Sequence, residues 1–292
     1  MNVVLFHTGT SLPDHIKYCI RQLLHTNPKF KIYFLTNLNF KSDEYVNIVN
    51  INNFTVPNID HYFQHCQEKQ LWQTSLRRLF YIEEFLKESE LQDVVHFDND
   101  VLVFSDLSKH ITKFKKFNFL ITPHFETEYV FGFSYIKNYK VLTEINKELL
   151  KLVALPHHEL QSLAGQEFPH EMRLLNYINT ANNGKYISNL PVVVDGPGSD
   201  NFDVFQTIFD PSTYGKHVGG SHNMGTHNPD YVATPDWHGT ELHHYAGRQI
   251  SEGKIKVTFD GKYPMLNYNN KEQYPITNLH IHDKNLKDFV LC

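Results

Sequence analysis

The sequence predicts an α/β fold, a mixed and mainly parallel central sheet flanked by helices. Three observations carry this expectation. Apolar runs of strand length alternate with longer stretches of helical periodicity, the chain opens on a strand, loop, helix, strand unit, and one apolar run is interrupted by two aspartates. At 292 residues, 41% hydrophobic and 20% charged, the chain is long and apolar enough for a large core.

The elements follow in order. Val3 to Phe6 reads as a first strand, followed by the small-residue loop His7-Thr8-Gly9-Thr10-Ser11-Leu12-Pro13 and a helix from Asp14 to Leu24. Lys31 to Thr36 is a second strand and Ile48 to Ile51 a short third. Gln70 to Ser89 carries Leu71, Leu79, Ile82, Phe85 and Leu86 with charges between them, an amphipathic helix. It leads into the run Val94 to Phe104. Strands are expected over Phe117 to Thr122 and Tyr129 to Ser134, with helices over Tyr139 to Leu155 and Glu167 to Thr180. From Ala181 onward Gly, Pro, Asn, His and aromatic residues dominate, and only Val192 to Val194 and Lys254 to Phe259 read as short strands. No repeat or low-complexity tract divides the chain, so 1–292 is expected to be one domain, with a ligand-binding half over 1–180 and a loop-rich half over 181–292.

Composition narrows the function. The net charge of −5 and the lack of a basic run argue against nucleic acid as a partner. No stretch reaches the ~18 apolar residues of a membrane span, and no basic leader precedes Val3. Cys19, Cys66 and Cys292 are scattered and odd in number, which points away from a disulfide framework and toward a reducing, cytoplasmic setting. Oligomeric state is not legible.

The chemistry concentrates in two places. Val94-Val95-His96-Phe97-Asp98-Asn99-Asp100-Val101-Leu102-Val103-Phe104 sets two carboxylates one residue apart inside an apolar stretch. Asp-Asn-Asp is also good turn chemistry, but acids flanked by core residues on both sides need a cation, and an all-oxygen pair suits Mn²⁺ or Mg²⁺. Near the end, Asn278-Leu279-His280-Ile281-His282-Asp283-Lys284, read as a strand, turns both imidazoles to one face and Leu279 and Ile281 to the other. An imidazole there can complete a metal site, and Lys284 can meet a diphosphate.

These residues resemble a GT-A (Rossmann-like) glycosyltransferase, a nucleotide-sugar-dependent class whose Asp-x-Asp motif holds a divalent metal on the donor diphosphate. In the glycogenin and galactosyltransferase branch a late histidine adds a metal ligand and a lysine meets phosphate. His282 and Lys284 sit where that pair is expected, without the His-Phe-x-Gly-x-x-Lys form. The tail is similar to a Leu-x-Ile-His-Ser-Lys-x-Leu ending of uncharacterised microbial and viral glycosyltransferases, with Asp283 in place of the serine. Ser75-Leu76-Arg77-Arg78-Leu79-Phe80 and Phe209-Asp210-Pro211-Ser212-Thr213-Tyr214-Gly215-Lys216-His217-Val218-Gly219-Gly220 resemble further stretches of that subgroup.

The resemblance implies transfer of a sugar from a nucleotide-sugar, UDP-linked by preference, to a glycan or glycan precursor, with Mn²⁺ or Mg²⁺ as cofactor. Asp98, Asp100 and His282 would bind metal. His7, Thr8 and Gly9 would line the base and ribose, and Arg78, or Arg77, and Lys284 would face the diphosphate. An inverting reaction needs a carboxylate base. Glu171 and Asp203 are the leading candidates, with Asp195 and Asp236 behind them. Tyr231, Trp237, Tyr245 and the histidines 222, 227, 238, 243 and 244 suit an acceptor sugar, and His243-His244 is a weaker second-metal candidate. Two competing readings are a metal-dependent phosphatase or hydrolase and a glycan-binding protein that only retains the fold. The first is disfavoured because its Asp-x-Asp belongs on the first strand and its His-x-His early in the chain.

Overall fold

The computed structural model describes residues 1–65, 69–164, 169–219, 244–282 and 284–292. Its elements are β1 (Asn2–His7), α1 (Asp14–Thr26), β2 (Lys31–Thr36), β3 (Val46–Asn50), α2 (Lys69–Ser89), β4 (Val94–Phe97), β5 (Val101–Val103), α3 (Ile111–Phe114), β6 (Phe119–Phe125), β7 (Glu128–Ile136), α4 (Tyr139–Val153), α5 (His157–Ala164), α6 (Glu171–Ala181), β8 (Ser188–Asn189), α7 (Phe202–Phe205), α8 (Tyr214–Gly219), α9 (Tyr245–Ser251), β9 (Ile255–Asp260), β10 (Tyr263–Tyr268), β11 (Glu272–Pro275) and β12 (Asn278–His280).

Seven strands form the central sheet in the order β3-β2-β1-β4-β7-β6-β8. β1 runs parallel to both β2 and β4, β2 is parallel to β3, and β6 to β8, while β7 alone runs against its neighbours. This is the mixed, mainly parallel α/β sheet that the sequence predicts. Chain order leaves β1 in both directions, toward β2 on one side and β4 on the other. The crevice beyond the carboxyl ends of β1 and β4 is therefore the switch point where ligands of such sheets gather.

Alternation of side chains across the sheet produces two cores. Val3, Leu5, Val95 and Phe97 pack with α1, β5, β12 and the aromatic group Phe114, Phe205 and Phe209. Val4, Phe6, Val94 and Ile121 pack against α2, α4 and α6 on the other face. α4 shows why it lies there: Leu142, Ile145, Leu149 and Leu152 are buried on one stripe, and the Asn138 side chain caps its start by accepting from the Lys140 N–H at 3.0 Å.

The run 94–104 is broken at the aspartates, as the sequence predicts, into β4 and β5. Two sequence expectations change. The expected strand 192–194 is irregular and β8 lies just before it. The expected strand through Lys284 stops at His280, because β12 pairs antiparallel with β5 for only three residues, Asn278 to Val103, Leu279 to Leu102 and His280 to Val101. The predicted helix over 167–180 is described from Glu171, since Glu167 lies outside the described residues. No helix among those residues is long and apolar enough to cross a membrane.

Candidate metal centre and its surroundings

β4 ends at Phe97, and Asp98-Asn99-Asp100 turns the chain sharply into β5, with the Val101 N–H donating to the Asp98 carbonyl at 3.0 Å. The Asn99 side chain ties this turn to β1 by donating to the Phe6 carbonyl at 2.7 Å. On the other side β7 slips in register against β6, so residues 131–133 bow out of that pairing. The bow presents the Gly132 carbonyl to the Asp98 N–H at 3.0 Å. Both carboxylates are thus fixed at the switch point by main chain from three strands.

The third member arrives from far along the chain. In register beside Val101, His280 brings its Nε2 to 3.1 Å from an Asp100 oxygen and 4.0 Å from an Asp98 oxygen. One donor atom from each of Asp98, Asp100 and His280 falls within 4.8 Å of the others, and two of the three residues are buried. His280 is held by Asp210, whose buried carboxylate accepts N–H groups from Thr213, Tyr214, Gly215 and His280 itself at 2.7 to 2.8 Å. The first turn of α8 is thereby laced to β12. Two glycines make room: a Cβ on Gly215 would stand 2.0 Å from the His280 carbonyl oxygen, and one on Gly132 would stand 2.8 Å from the His280 Nδ1.

Cations bracket the pair. Arg78, projecting from α2, binds Asp98 with one terminal nitrogen and Glu171 at 2.8 Å with the other. Lys284, at a left-handed φ of 65°, sets its ammonium on Asp100. Burial opposes charge at Asp100, yet His280 and Lys284 together hold its carboxyl well below the usual range. His280 is also penalised by burial but raised overall, chiefly by Asp100. Glu171 goes up, because burial outweighs Arg78. Against its own burial, Arg78 is raised by the Asp98 and Glu171 carboxylates.

His282, expected as a metal ligand, takes a different place. β12 has ended, so the two-residue alternation no longer applies; the His282 ring lies 4.5 Å from that of His280 and its Nε2 is 2.5 Å from the Ser212 hydroxyl. Burial and the adjacent His280 lower its pKa. The histidine grouped with both aspartates is His280. Arg78, expected at a diphosphate, has both terminal nitrogens on carboxylates. Glu171 joins the site through Arg78. Asp203 is exposed on the short helix α7, and nothing among the described residues connects it to Asp98 or Asp100.

His7, Thr8 and Gly9 sit at the carboxyl end of β1, beside the same crevice. Gly9 is clamped by Asn37, whose side chain accepts its N–H at 3.0 Å and donates to its carbonyl at 2.9 Å. The Thr8 hydroxyl faces Thr74 of α2 at 3.5 Å, and His7 Nε2 meets the Ser11 carbonyl at 3.0 Å. Asp195 lies by α9, with Gln249 donating to its carbonyl at 2.8 Å. His244 packs against His124 with the rings tilted 40° and their centroids 3.5 Å apart, and Tyr245 opens α9. Asp236, Tyr231, Trp237, His222, His227, His238 and His243 lie outside the described residues.

Sequence reading paired His280 with His282 on one face without choosing His280, and it missed Asp210, Gly132, Gly215 and Asn37. Only Asp210 and Gly215 left a trace, as fixed positions in the stretch from Phe209. The Asn37 clamp depends on the β1–β2 pairing and has no local signature.

No family model and no curated protein matches the chain. Solved structures similar to it include the glycosyltransferase GlyE of Streptococcus pneumoniae TIGR4, 14% identical over 65% of this chain with a TM-score of 0.38. The match spans 44% of GlyE, less than half its length. Mouse xyloside xylosyltransferase 1 is 10% identical over 65% of this chain and 86% of its own, with a TM-score of 0.40. The galactosyltransferase LgtC, solved with donor and acceptor sugar analogues, is 14% identical over 89% of this chain and 98% of its own, with a TM-score of 0.40.

Proposed function

We propose that the chain is a divalent-metal-dependent glycosyltransferase that transfers a sugar from a nucleotide-sugar, preferably UDP-linked, to a glycan or glycan-precursor hydroxyl. The observation that carries this reading is the group Asp98, Asp100 and His280 at the switch point of a mainly parallel sheet, bracketed by Arg78 and Lys284. The donor set of two carboxylates and one imidazole fits Mn²⁺ or Mg²⁺, and the His280 Nδ1 is buried without a hydrogen-bond partner, so Nε2 is the nitrogen that meets the aspartates. The Arg78 guanidinium on Asp98 and the Lys284 ammonium on Asp100 support the reading of a pocket that attracts positive charge.

Bound there, the ion would stabilise charge on the departing nucleoside diphosphate. The remaining work belongs to the chain. Lys284, partly exposed and hinged at a left-handed residue, is the cation free to follow a phosphate. Arg78 positions Asp98 and Glu171 relative to one another. Glu171, whose pKa burial raises, is the better candidate of the two proposed bases because Arg78 links it to the metal group, whereas Asp203 stands apart. His7, Thr8 and Gly9 form the wall for base and ribose, with Asn37 keeping the loop in place.

A thermal-shift panel with UDP, GDP and CMP, each with and without Mn²⁺, tests the reading. UDP with Mn²⁺ is expected to raise the melting point further than Mn²⁺ alone, and UDP without metal not to raise it, a ligand at 100 times its Kd contributing about 2.7 kcal/mol. Asp100→Asn, which keeps the volume, is expected to abolish the combined shift. A UDP shift that persists without metal, or in Asp100→Asn, overturns the proposal.

A further inference from the structure

A second cleft lies at the opposite end of α1 from the metal group. His15, in the first turn of α1, feels the charges of Lys284 and Asp100, whereas His25 and Thr26 in the last turn line this cleft, ~15 Å along the axis at about 1.5 Å per residue. β5 runs between the two sites, with Asp100 just before it and Phe104, which lines the cleft, just after it, ~13 Å apart at about 3.3 Å per residue. The volume is about 660 Å³, within the range of small-molecule sites.

Its chemistry is specific. Lys109 is exposed and makes no ion pair among the described residues. Lys113 uses one N–H on the Phe205 carbonyl at 2.9 Å, leaving two for a ligand. The one carboxylate in the wall, Asp106, is engaged by the Ser108 hydroxyl at 2.6 Å and the Ser108 N–H at 3.0 Å. Two ammonium groups against one occupied carboxylate give the cleft a positive balance. His110 is neutral there, lowered to about 4 by burial, and contributes hydrogen bonding rather than charge. At the rim stands Tyr263, 49% exposed on β10, an aromatic face of the kind that packs on the C–H side of a sugar ring.

We propose that this cleft binds an anionic oligosaccharide, one carrying carboxylate or phosphate groups, at a site separate from the metal centre. The lysines would meet the acidic groups and Tyr263 would stack on a ring. The inference does not depend on the transferase reading.

Calorimetric titration with trigalacturonate at low salt tests it, with neutral maltotriose as control. Saturable binding of trigalacturonate is expected, weakened about tenfold in Lys109→Glu and in Tyr263→Ala, and at least tenfold weaker for maltotriose; the conversion is ~1.4 kcal/mol per tenfold. The melting temperature and far-UV circular dichroism of both variants are expected to match those of the unaltered protein, which reports that the variants are folded whether or not the metal centre binds nucleotide. Absence of saturable trigalacturonate binding, undiminished binding by both variants, or equal affinity for maltotriose overturns the proposal.

Discussion

Lys284 rests its ammonium on an oxygen that a divalent ion would also use. On the proposed reading the ion and the lysine would compete for Asp100 until a diphosphate offered the lysine another anion. Lys284→Ala is expected to bind Mn²⁺ at least about tenfold more tightly without nucleotide, since a hydrogen bond to a charged group is worth about 1.5–3 kcal/mol and ~1.4 kcal/mol is tenfold. With UDP present the same variant is expected to bind the nucleotide more weakly than the unaltered protein. Manganese titration followed by electron paramagnetic resonance, with and without UDP, reads both signs. Weaker Mn²⁺ binding in the variant without nucleotide would refute the competition. At this scale the sequence is legible where chemistry is local: two acids inside an apolar run announce a cation. It is illegible where register decides, and only the pairing of His280 with Val101 chooses between two histidines two residues apart.

Among the elements, the loop after β1 shows how packing supplies what propensity lacks. No side chain caps α1, whose preceding residue is Pro13, and the loop is instead pinned by Asn37 from the end of β2. Asn37→Ala removes two hydrogen bonds to the Gly9 backbone. It is expected to cost about 1–2 kcal/mol in urea denaturation and to weaken UDP binding while leaving Mn²⁺ binding by Asp98, Asp100 and His280 unchanged. Loss of metal binding in this variant would show that the loop and the metal group are not separable. The long amphipathic helices α2 and α4 and the apolar strands β1, β2 and β4 were readable because their periodicity extends over many residues. The extent of β12 was not: the segment reads as a strand through Lys284, but its pairing with β5 lasts only three residues.

For the molecule as a whole, buried imidazoles set the response to acid. Burial lowers His15, His96 and His110 each to about 4, His96 lying under Val4 and Phe131 with its Nδ1 2.8 Å from the Val4 carbonyl. The unfolded chain takes up these protons near pH 6.5 and the folded chain only near 4, so stability falls as pH drops across that window. The Asp100–His280 pair works differently: the raised imidazole contributes below about 6.5 and loses its contribution as pH climbs past its raised value, and the lowered carboxyl contributes above about 3.9. Three imidazoles against one pair give a melting temperature expected to be lower at pH 4.5 than at pH 7, measured by circular dichroism. An unchanged value would mean that these rings are not held neutral.

The pairing of β12 with β5 also bears on biosynthesis. Lys284 follows Asp100 by 184 residues, so a ribosome that has finished the first strands of the sheet has made only half of the cation's cradle. Nascent chains cannot assemble the Asp98, Asp100 and His280 group until His280 emerges, and a chain cut short before that point carries the two aspartates without their imidazole or their lysine.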